Sequence, residues 1–242
     1  GSLTIAFAVC EGKAELTEIQ CTDMHWSMHR IPIGVLGASG YAGRELCALV
    51  ARHPGLSLRF AAANEQRGTT VELPHGGRVT FVAPDDAPLR DVQLVFSALP
   101  HGVSRAWVER ARAAGAKVVD LSADLRIGNG DGKNGGVPYG LTEARRAAVR
   151  GADVVANPGC YPTAILLALL PLFEQGLVAP GATIGVSAAS GVTGAGLSVR
   201  TDLLFGEVTE NFRAYGTGNT HRHLNEMRAV LGELRVDADL LF

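Results

Sequence analysis

Apolar residues beyond position 30 fall into two alternating kinds of segment. Five short runs are rich in Val, Ile, Leu and Ala and predict buried strands: 31–36, 56–63, 79–82, 92–98 and 117–124. Segments 44–53 and 103–114 repeat apolar residues every three or four positions, which predicts helices between strands. Strands and helices that alternate at this length predict a parallel sheet covered on both faces. The first half of the chain is therefore expected to be an α/β domain.

The second half mixes helices and strands less regularly. Its pattern predicts a charged helix, an apolar helix, a strand and two further helices: 141–150, 161–170, 182–189, 197–205 and 224–234. Residues 128–136 contain only Gly, Asn, Asp and Lys and predict a flexible connector near the domain boundary. We therefore expect an extension or arm over 1–29, a parallel-sheet domain over 30–150 and an α+β domain over 151–242.

One turn in the second half carries a strong chemical signal. Asn157, Pro158 and Gly159 form a tight turn after a short apolar run, and Pro162 suits the first turn of the apolar helix that follows. Cys160 is therefore expected at a helix N-terminus, where free N–H groups and the helix dipole favour a thiolate. This position predicts a catalytic nucleophile. The alternative is a buried structural cysteine.

A glycine-rich turn separates the first predicted strand from the first predicted helix. Gly37, Gly40 and Gly43 have the spacing G-x-x-G-x-x-G, with Ser39 and Tyr41 between them. In a strand–turn–helix unit, the first glycine permits the tight turn, the second lets a pyrophosphate approach the backbone and the third allows close packing. The context predicts a dinucleotide site, although glycine turns also join strands to helices in other folds.

Two strand ends bear on the identity and position of that dinucleotide. An acidic residue after the second strand commonly binds the ribose of NAD. Asn64 and Arg67 suit a 2′-phosphate and predict NADP, while Glu65 keeps NAD open. The strand at 92–98 is followed by Pro100 and His101, in the region where open α/β sheets bind ligands. His101 is predicted to contact cofactor or substrate, or else to cap the next helix.

Two later segments offer further binding groups. Residues 190–196 form a second glycine-rich loop, whose N–H groups and hydroxyls suit an anionic oxygen; the alternative is a simple hinge. His221 and His223 flank an arginine at the start of the last predicted helix. Two histidines without acidic or cysteine partners are an incomplete zinc site, so no metal is predicted there. A solvated basic helix start is the other interpretation.

Composition narrows the choice of partners. The chain has 242 residues, of which 22 are basic and 24 acidic, for a net charge of -2. That balance gives no electrostatic footprint for nucleic acid or for an anionic membrane surface. The longest apolar runs, such as 164–170, fall far short of the roughly 20 residues that span a bilayer. We therefore expect neither nucleic acid nor a membrane as a partner.

The cysteines indicate a reducing compartment. The chain has four of them and no CxxC pair: Cys10, Cys21, Cys47 and Cys160. A disulfide framework is not expected, and a cytoplasmic location fits this usage. Cys21, His25 and His29 have helical spacing that could gather a metal, but a fourth ligand is missing nearby.

Five motifs together resemble the N-acetyl-γ-glutamyl-phosphate reductases of arginine biosynthesis. In chain order they are Gly-Ala-Ser-Gly-Tyr-Ala-Gly at 37–43, Leu-Pro-His-Gly at 99–102, Leu-Ser-Ala-Asp at 121–124, Asn-Pro-Gly-Cys-Tyr-Pro-Thr at 157–163 and His-Arg-His at 221–223. The resemblance covers about residues 31–235. It implies an NADPH-binding Rossmann domain, a separate catalytic domain, an acyl phosphate as substrate and a homodimer or homotetramer.

The resemblance also implies roles for particular residues. Cys160 would be the nucleophile that forms a thioester, and His221 the acid/base group. The substrate would contact three residues: Ser190, Thr193 and His223. The cofactor would contact the glycine turn, the residues after the second strand, and three further residues: Pro100, His101 and Gly194.

This chain departs from the family pattern in three places, and two related activities stay open. The connector differs in length, Leu224-Asn225-Glu226-Met227 replaces Thr-Pro-Glu-Ile, and the family continues beyond Phe242, so the catalytic domain is expected to be incomplete. Aspartate-semialdehyde dehydrogenase and the carrier-linked aminoadipyl-phosphate reductase share the chemistry. Tyr161-Pro162 after the cysteine favours the arginine pathway. A nucleotide-binding module without catalysis is the remaining alternative.

Overall fold

A computed structural model describes residues 30–128 and 136–242 of the chain. The strands of these residues are β1 Ile31–Leu36, β2 Leu56–Ala62, β3 Thr70–Glu72, β4 Arg78–Thr80, β5 Leu94–Ser97, β6 Lys117–Asp120, β7 Val154–Ala156, β8 Ala182–Gly185 and β9 Ala238–Leu241. The α-helices are α1 Tyr41–Arg52, α2 Ser104–Ala113, α3 Thr142–Val149, α4 Cys160–Glu174, α5 Phe205–Val208 and α6 His223–Glu233. The predicted arm over 1–29, with the possible metal ligands Cys21, His25 and His29, lies outside the described residues, as does 129–135 of the connector.

A parallel sheet forms the centre of the first half. Its strand order is β2-β1-β5-β6-β7, and each neighbouring pair is parallel. Val82 extends the order beyond β2 through a single parallel bridge to Ala62. With that bridge counted, the order is the one found in Rossmann-type sheets. The predicted α/β fold class is confirmed.

Both faces of this sheet are covered because its strands carry apolar residues on both sides. On one face, Val35 of β1 packs with Cys47 of α1. On the other face, Val95 of β5 packs with Val108 of α2. Strand β1 contributes to both clusters, because its neighbouring residues Val35 and Leu36 point to opposite faces, as expected for a parallel sheet between helices.

Two predicted elements of the first half differ from the structure. Helix α1 begins at Tyr41, three residues before the predicted start at 44, because the glycine turn itself leads directly into the helix. The strand predicted over 79–82 is not a strand of the main sheet. Residues 78–80 instead form β4, which pairs antiparallel with β3, and only Val82 reaches β2.

The second half packs two helices against a small sheet. Leu166 of α4, Met227 of α6 and Leu240 of β9 belong to one buried cluster, and β9 pairs parallel with β8. The α+β prediction for this half is confirmed. None of the helices in the described parts of the chain has the length and apolar character needed to cross a membrane.

Two predicted elements of the second half differ from the structure. The strand over 182–189 ends at Gly185, and the helix predicted over 197–205 is wrong. Residues 201–203 form a single 3₁₀ turn, and α5 begins only at Phe205. Side chains over 197–205 are mostly exposed, so no packed face supports a helix there.

The topology brings the predicted site segments to one edge of the main sheet. The carboxyl ends of β1, β5, β6 and β7 lie at the same edge because these strands are parallel. The glycine turn follows β1, the Pro100–His101 segment follows β5 and the cysteine turn follows β7. Strand β7 lies beyond residue 150 and still pairs with β6, while the domain boundary between 150 and 151 stays a prediction.

Candidate active site

Cys160 is the first residue of α4, so the helix begins one position before the predicted start at 161. Gly159 precedes it with extended backbone, and the helix continues for 15 residues to Glu174. Pro158 and Gly159 are buried, whereas Cys160 is exposed. The structural-cysteine alternative would need a buried sulfur, so the exposure favours a reactive one. Cys47, in contrast, lies in the core, and burial raises the pKa of its thiol to about 12.

Side chains from distant parts of the chain hold the cysteine turn in place. The Glu226 carboxylate accepts the Gly159 N–H through Oε2, at 3.2 Å, and the Tyr139 hydroxyl donates to the same oxygen at 3.0 Å. Arg126 donates from Nε to the Asn157 carbonyl at 2.7 Å. The peptide groups on both sides of Pro158 are therefore fixed by charged side chains.

Arg126 and Glu226 also form a buried ion pair with each other. Their Nη1 and Oε1 atoms are 3.1 Å apart, and the side chains are only 5% and 0% exposed. Arg126 donates a further hydrogen bond from Nη2 to the Leu121 carbonyl, at 2.6 Å. The pair thus joins the loop after β6 to α6 and to the cysteine turn. Burial, together with the charge of the Glu226 carboxylate, raises the pKa of Tyr139.

His221 lies beside the cysteine turn at the start of α6. Its Nδ1 accepts the backbone N–H of His223 at 3.1 Å, so the proton of the neutral ring is assigned to Nε2. Its ring meets the Tyr161 ring edge-on, with centroids 5.2 Å apart. Burial and the charge of Arg222 lower the pKa of His221, which favours the neutral imidazole near pH 7.

His223 is the more buried of the two histidines. It is 5% exposed, and a Cβ on Gly159 would lie 2.8 Å from its Nε2, so the two residues can pack together only because position 159 is glycine. Neither ring nitrogen of His223 has a hydrogen-bond partner among the described residues. Burial, opposed in part by Glu226, lowers its pKa to about 4.

The cysteine and both histidines line one cavity. Its volume is about 730 Å³. The polar or reactive side chains in its wall are Cys160, Tyr161, Ser187, Ser190, Arg200, Asp202, Asn211, Arg213, Tyr215, Thr217, His221, Arg222 and His223. Tyr215 donates to the Tyr161 hydroxyl at 2.9 Å, and burial raises the pKa of Tyr215 to about 12. The cavity has the size and the mixed lining of a small-molecule site.

The second glycine-rich loop forms part of the same cavity wall. Ser190 and Gly194 line it, and Thr193 lies in the 3₁₀ turn Val192–Ala195 between them. A Cβ on Gly194 would lie 2.8 Å from the Ser190 hydroxyl oxygen, so the loop closes tightly on itself. Ser190 therefore shares the cavity with Cys160, whereas Thr193 is not among the residues that line it.

The glycine turn after β1 fits a dinucleotide. Gly37 has φ +73°, and an added Cβ would lie 2.5 Å from the Ala98 carbonyl oxygen; a Cβ on Gly43 would lie 2.3 Å from the Gly37 oxygen. At Gly40 the nearest atom would be 3.6 Å away, an ordinary contact. The protein's own packing does not require glycine at position 40, whereas the close approach of a pyrophosphate does. Ser39 and Tyr41 border this position, and no side chain caps α1.

The turn after β2 holds the residues predicted to select the dinucleotide. Asn64 and Arg67 are exposed there, and Arg67 donates to the Asn64 carbonyl at 3.4 Å. Arg44 of α1 donates to the Gln66 side chain at 3.2 Å, a contact that links this turn to the glycine turn. Neither Arg44 nor Gln66 is distinguished by the sequence motif.

His101 lies in the loop after β5, at the carboxyl edge of the main sheet. Its Nδ1 accepts the N–H of Ala123 at 2.8 Å, which ties the loop after β5 to the loop after β6. Burial is the largest cause that lowers its pKa, followed by the charges of Arg222 and Arg126. Pro100 precedes it and is exposed at the same edge. The histidine does not cap a helix through its side chain, since α2 has no side-chain cap.

Sequence patterns missed the residues that hold this site together. Arg126, Tyr139 and Glu226 come from three separate segments, and Arg222 was noted only as part of a histidine cluster. One signal was available for Glu226, because it falls on the same helical face as the apolar residues Met227 and Val230. A charged residue on a buried face indicates a partner that the local sequence does not identify.

The chain belongs to the semialdehyde dehydrogenase family. Residues 32–152 match the family's NAD binding domain, and residues 160–241 match its dimerisation domain. The two matches correspond to the parallel-sheet region and to the region that carries Cys160 and His221.

Curated relatives narrow the similarity further. The chain is 41% identical over 219 residues to an N-acetyl-gamma-glutamyl-phosphate reductase of Marinobacter nauticus, a match that covers 83% of this chain and 63% of that protein. It is 40% identical over 222 residues to the enzyme of the same name from Halorhodospira halophila, with 84% and 64% covered. The chain thus spans less than two thirds of the length of these relatives.

Solved structures share the fold at lower identity. Aspartate semialdehyde dehydrogenase II of Vibrio cholerae matches with a TM-score of 0.66 and 18% identity, over 88% of this chain and 69% of that one. Aspartate semialdehyde dehydrogenase of Candida albicans, whose structure contains NADP, matches with a TM-score of 0.60 and 17% identity, over 88% and 66%. These matches establish the arrangement of the two regions.

Proposed function

We propose that the protein reduces N-acetyl-γ-glutamyl phosphate to N-acetylglutamate 5-semialdehyde and phosphate, with NADPH, in arginine biosynthesis. One observation carries the proposal: exposed Cys160 shares a cavity with His221, in a chain 41% identical to a reductase of that name. We further propose that the chain acts in the cytoplasm, where its thiols stay reduced, and as a homodimer or homotetramer.

Cys160 performs the first chemical step of this proposal. Its thiolate attacks the acyl carbon, the C–O bond to phosphate breaks and the bonding pair leaves with phosphate, so that a thioester forms on the sulfur. Cys160 is exposed at the first position of α4, so its sulfur can reach a substrate in the cavity. A thioester is reducible where a carboxylate is not, which explains why the site needs a cysteine.

The cofactor is proposed to lie along the carboxyl edge of the main sheet. The glycine turn would hold its pyrophosphate, Asn64 and Arg67 its 2′-phosphate, and the segments at His101 and Gly194 its far end. NADPH, when bound, supplies the hydride for the thioester. The preference for NADP over NAD is supported by the absence of an acidic residue at 64 and is open to direct measurement.

His221 is proposed to act on the reacting oxygen of the substrate through its Nε2 proton. With Nδ1 engaged by the His223 N–H, its Nε2–H is free to donate to the oxyanion that develops when the thioester is reduced. The C–S bond of this oxyanion then breaks: the oxygen lone pair re-forms the C=O bond of the aldehyde and the bonding pair leaves with sulfur as the thiolate, while His221 keeps its Nε2 proton in a hydrogen bond to the oxygen. Ser190, Thr193 and His223 are proposed to contact the substrate.

An assay in the oxidative direction tests the function. We expect the 242-residue chain to reduce NADP in the presence of N-acetylglutamate semialdehyde and phosphate, and to prefer this aldehyde to aspartate semialdehyde. Cys160→Ala should abolish turnover and leave the dissociation constant for NADP unchanged. Cys47→Ala is the matched control, because Cys47 is buried in the first half and lies outside the cavity.

Three outcomes would overturn the proposal. Turnover by the Cys160→Ala variant would exclude covalent catalysis. Preference for aspartate semialdehyde would assign the chain to the related dehydrogenases. Retention of NADP without turnover of any aldehyde would indicate a nucleotide-binding module.

A further inference from the structure

The proposed reaction needs a positive charge beside Cys160 that is not already neutralised. The phosphate of the substrate is doubly charged, and the bonding pair that leaves with it adds negative charge as the C–O bond breaks. A fixed cation at that place stabilises this charge more than it stabilises the bound substrate. The following inference rests on the proposed function and concerns which residue supplies the cation.

Three arginines line the cavity of Cys160, and two of them are engaged with Asp202. Arg200 binds the Asp202 carboxylate through two nitrogens, at 3.0 and 2.7 Å. Arg213 is 3.2 Å from the same carboxylate and also donates to the Asp202 carbonyl. Asp202 offsets the charge of both guanidinium groups, which weakens their ability to bind an anion.

Arg222 differs from the other two in its surroundings. It is exposed in the cavity wall between His221 and His223, and it forms no hydrogen bond or ion pair with any residue in 30–128 or 136–242. It occupies the N-cap position of α6, an 11-residue helix whose positive end adds to the charge of the side chain. A planar guanidinium in this setting suits two oxygens of one phosphate.

The neighbouring histidines are neutral near pH 7, so Arg222 carries the positive charge beside them. The charge of Arg222 contributes to the lowered pKa of His101, His221 and His223, so all three rings are favoured in their neutral forms near pH 7. These rings come from the loop after β5 and from the start of α6. Arg222 lies in the wall of the cavity that Cys160, His221 and His223 also line.

We propose that Arg222 binds the phosphate group of the acyl phosphate, and the phosphate released from it, beside Cys160. The ligand class is a phosphate dianion, either joined to an acyl group in a mixed anhydride or free in solution. The S–C bond forms and the C–O bond breaks, and the bonding pair stays on the oxygen of the departing phosphate. Arg222 binds this phosphate, which then takes a proton from water.

Steady-state kinetics in the oxidative direction separate phosphate binding from aldehyde binding. We expect Arg222→Gln to raise the KM for phosphate at least tenfold and to change the KM for the aldehyde less than twofold. Arg222→Lys should recover part of the phosphate affinity, because the charge returns without the planar fork. Arg228→Gln is the control, since it removes the same charge from the same helix at a residue paired with Asp239.

A second measurement does not depend on turnover. Inorganic phosphate should slow the alkylation of Cys160 by iodoacetamide, followed by mass spectrometry of the Cys160 peptide. Arg222→Gln should abolish that protection, and Arg228→Gln should retain it. Because Arg222 is exposed, the variant is expected to unfold at the same temperature as the wild type.

The results distinguish the failure of this inference from the failure of the function. An aldehyde KM that rises while the phosphate KM stays constant would assign Arg222 to a substrate carboxylate and overturn the inference. Equal protection by phosphate in wild type and Arg222→Gln would overturn it as well. A wild-type chain that turns over no aldehyde would refute the proposed function, while the alkylation assay would still decide whether Arg222 binds phosphate.

Discussion

Two strand–turn–helix units meet at the carboxyl edge of the main sheet and are built in different ways. In the first, β1 passes through Gly37 and Gly40 into α1; in the second, β7 passes through Pro158 and Gly159 into α4. Both present a helix N-terminus to the same region. One is suited to a pyrophosphate and the other to a reactive sulfur.

The two turns differ in what holds them. The glycine turn is fixed by backbone contacts over a few residues, such as the Gly40 N–H to the Gly37 carbonyl at 3.3 Å and the close approach of Gly37 to Ala98. The cysteine turn is fixed by the side chains of Arg126 and Glu226, which are 100 residues apart in sequence. A turn that binds a ligand through its backbone needs space, whereas a turn that presents a nucleophile needs a fixed orientation.

The largest expected effect comes from breaking the ion pair behind the cysteine turn. Glu226→Ala would leave Arg126 charged and unpaired in the core, and would remove the acceptor for Gly159 and Tyr139. We expect a loss of about 3–5 kcal/mol in the free energy of unfolding. Urea denaturation at pH 7 measures it.

The matched control is an ion pair on the same helix at the surface. Glu233→Ala removes the partner of Arg145, and Glu233 is 48% exposed. It should cost at most about 1 kcal/mol. If Glu226→Ala costs no more than Glu233→Ala, the buried pair does not hold the cysteine turn.

Local patterns were sufficient for the fold and for the glycine turn. Apolar runs identified β1, β2, β5 and β6, and the spacing of glycines identified the turn between β1 and α1, because the determinants lie within a few residues. The cofactor role of that turn stays a prediction. The pattern failed at 197–205, where a helical period exists but most side chains are exposed, so no buried face stabilises a helix. It also misassigned 79–82, since a hairpin partner at β3 competes with the main sheet for those residues.

The cysteine turn was only partly predictable. Turn chemistry at Pro158 and Gly159 placed Cys160 at a helix start, which the structure bears out. The supporting charges were not predictable, because no local period relates Arg126 to Glu226. The lowered pKa of His223 likewise depends on burial against Gly159, a contact between segments far apart in sequence.

A second, smaller effect is the loss of folding stability at acidic pH. His223 has a folded-state pKa of about 4 against an ordinary value of 6.5, so between these values the unfolded chain binds a proton that the folded chain does not. The free energy of unfolding should therefore fall as the pH falls through this window, by up to about 1.4 kcal/mol per pH unit and about 3 kcal/mol in all. Above pH 6.5 the contribution disappears.

Urea denaturation at pH 7, 6 and 5 measures the free energy of unfolding, and the difference between wild type and a His223 variant checks this expectation. His223→Gln should show a smaller loss of stability on acidification than the wild type, because the other titrating groups are common to both proteins. His75→Gln, at a side chain 61% exposed, controls for the removal of a histidine from the surface. Identical pH slopes for wild type and His223→Gln would contradict the assignment.

The smallest expected effect is the sharpest test of the glycine turn, because it separates folding from ligand binding. Serine is favoured at the N-cap, and a Cβ at position 40 meets only the Gly37 oxygen at 3.6 Å, so Gly40→Ser should change the free energy of unfolding by less than about 0.5 kcal/mol. The added atoms would occupy the proposed approach of a pyrophosphate. The dissociation constant for NADP, measured by calorimetry, should rise about tenfold, or about 1.4 kcal/mol. Gly37→Ser, at φ +73°, should weaken folding and binding together, and undiminished NADP affinity in Gly40→Ser would show that the dinucleotide does not pass over this glycine.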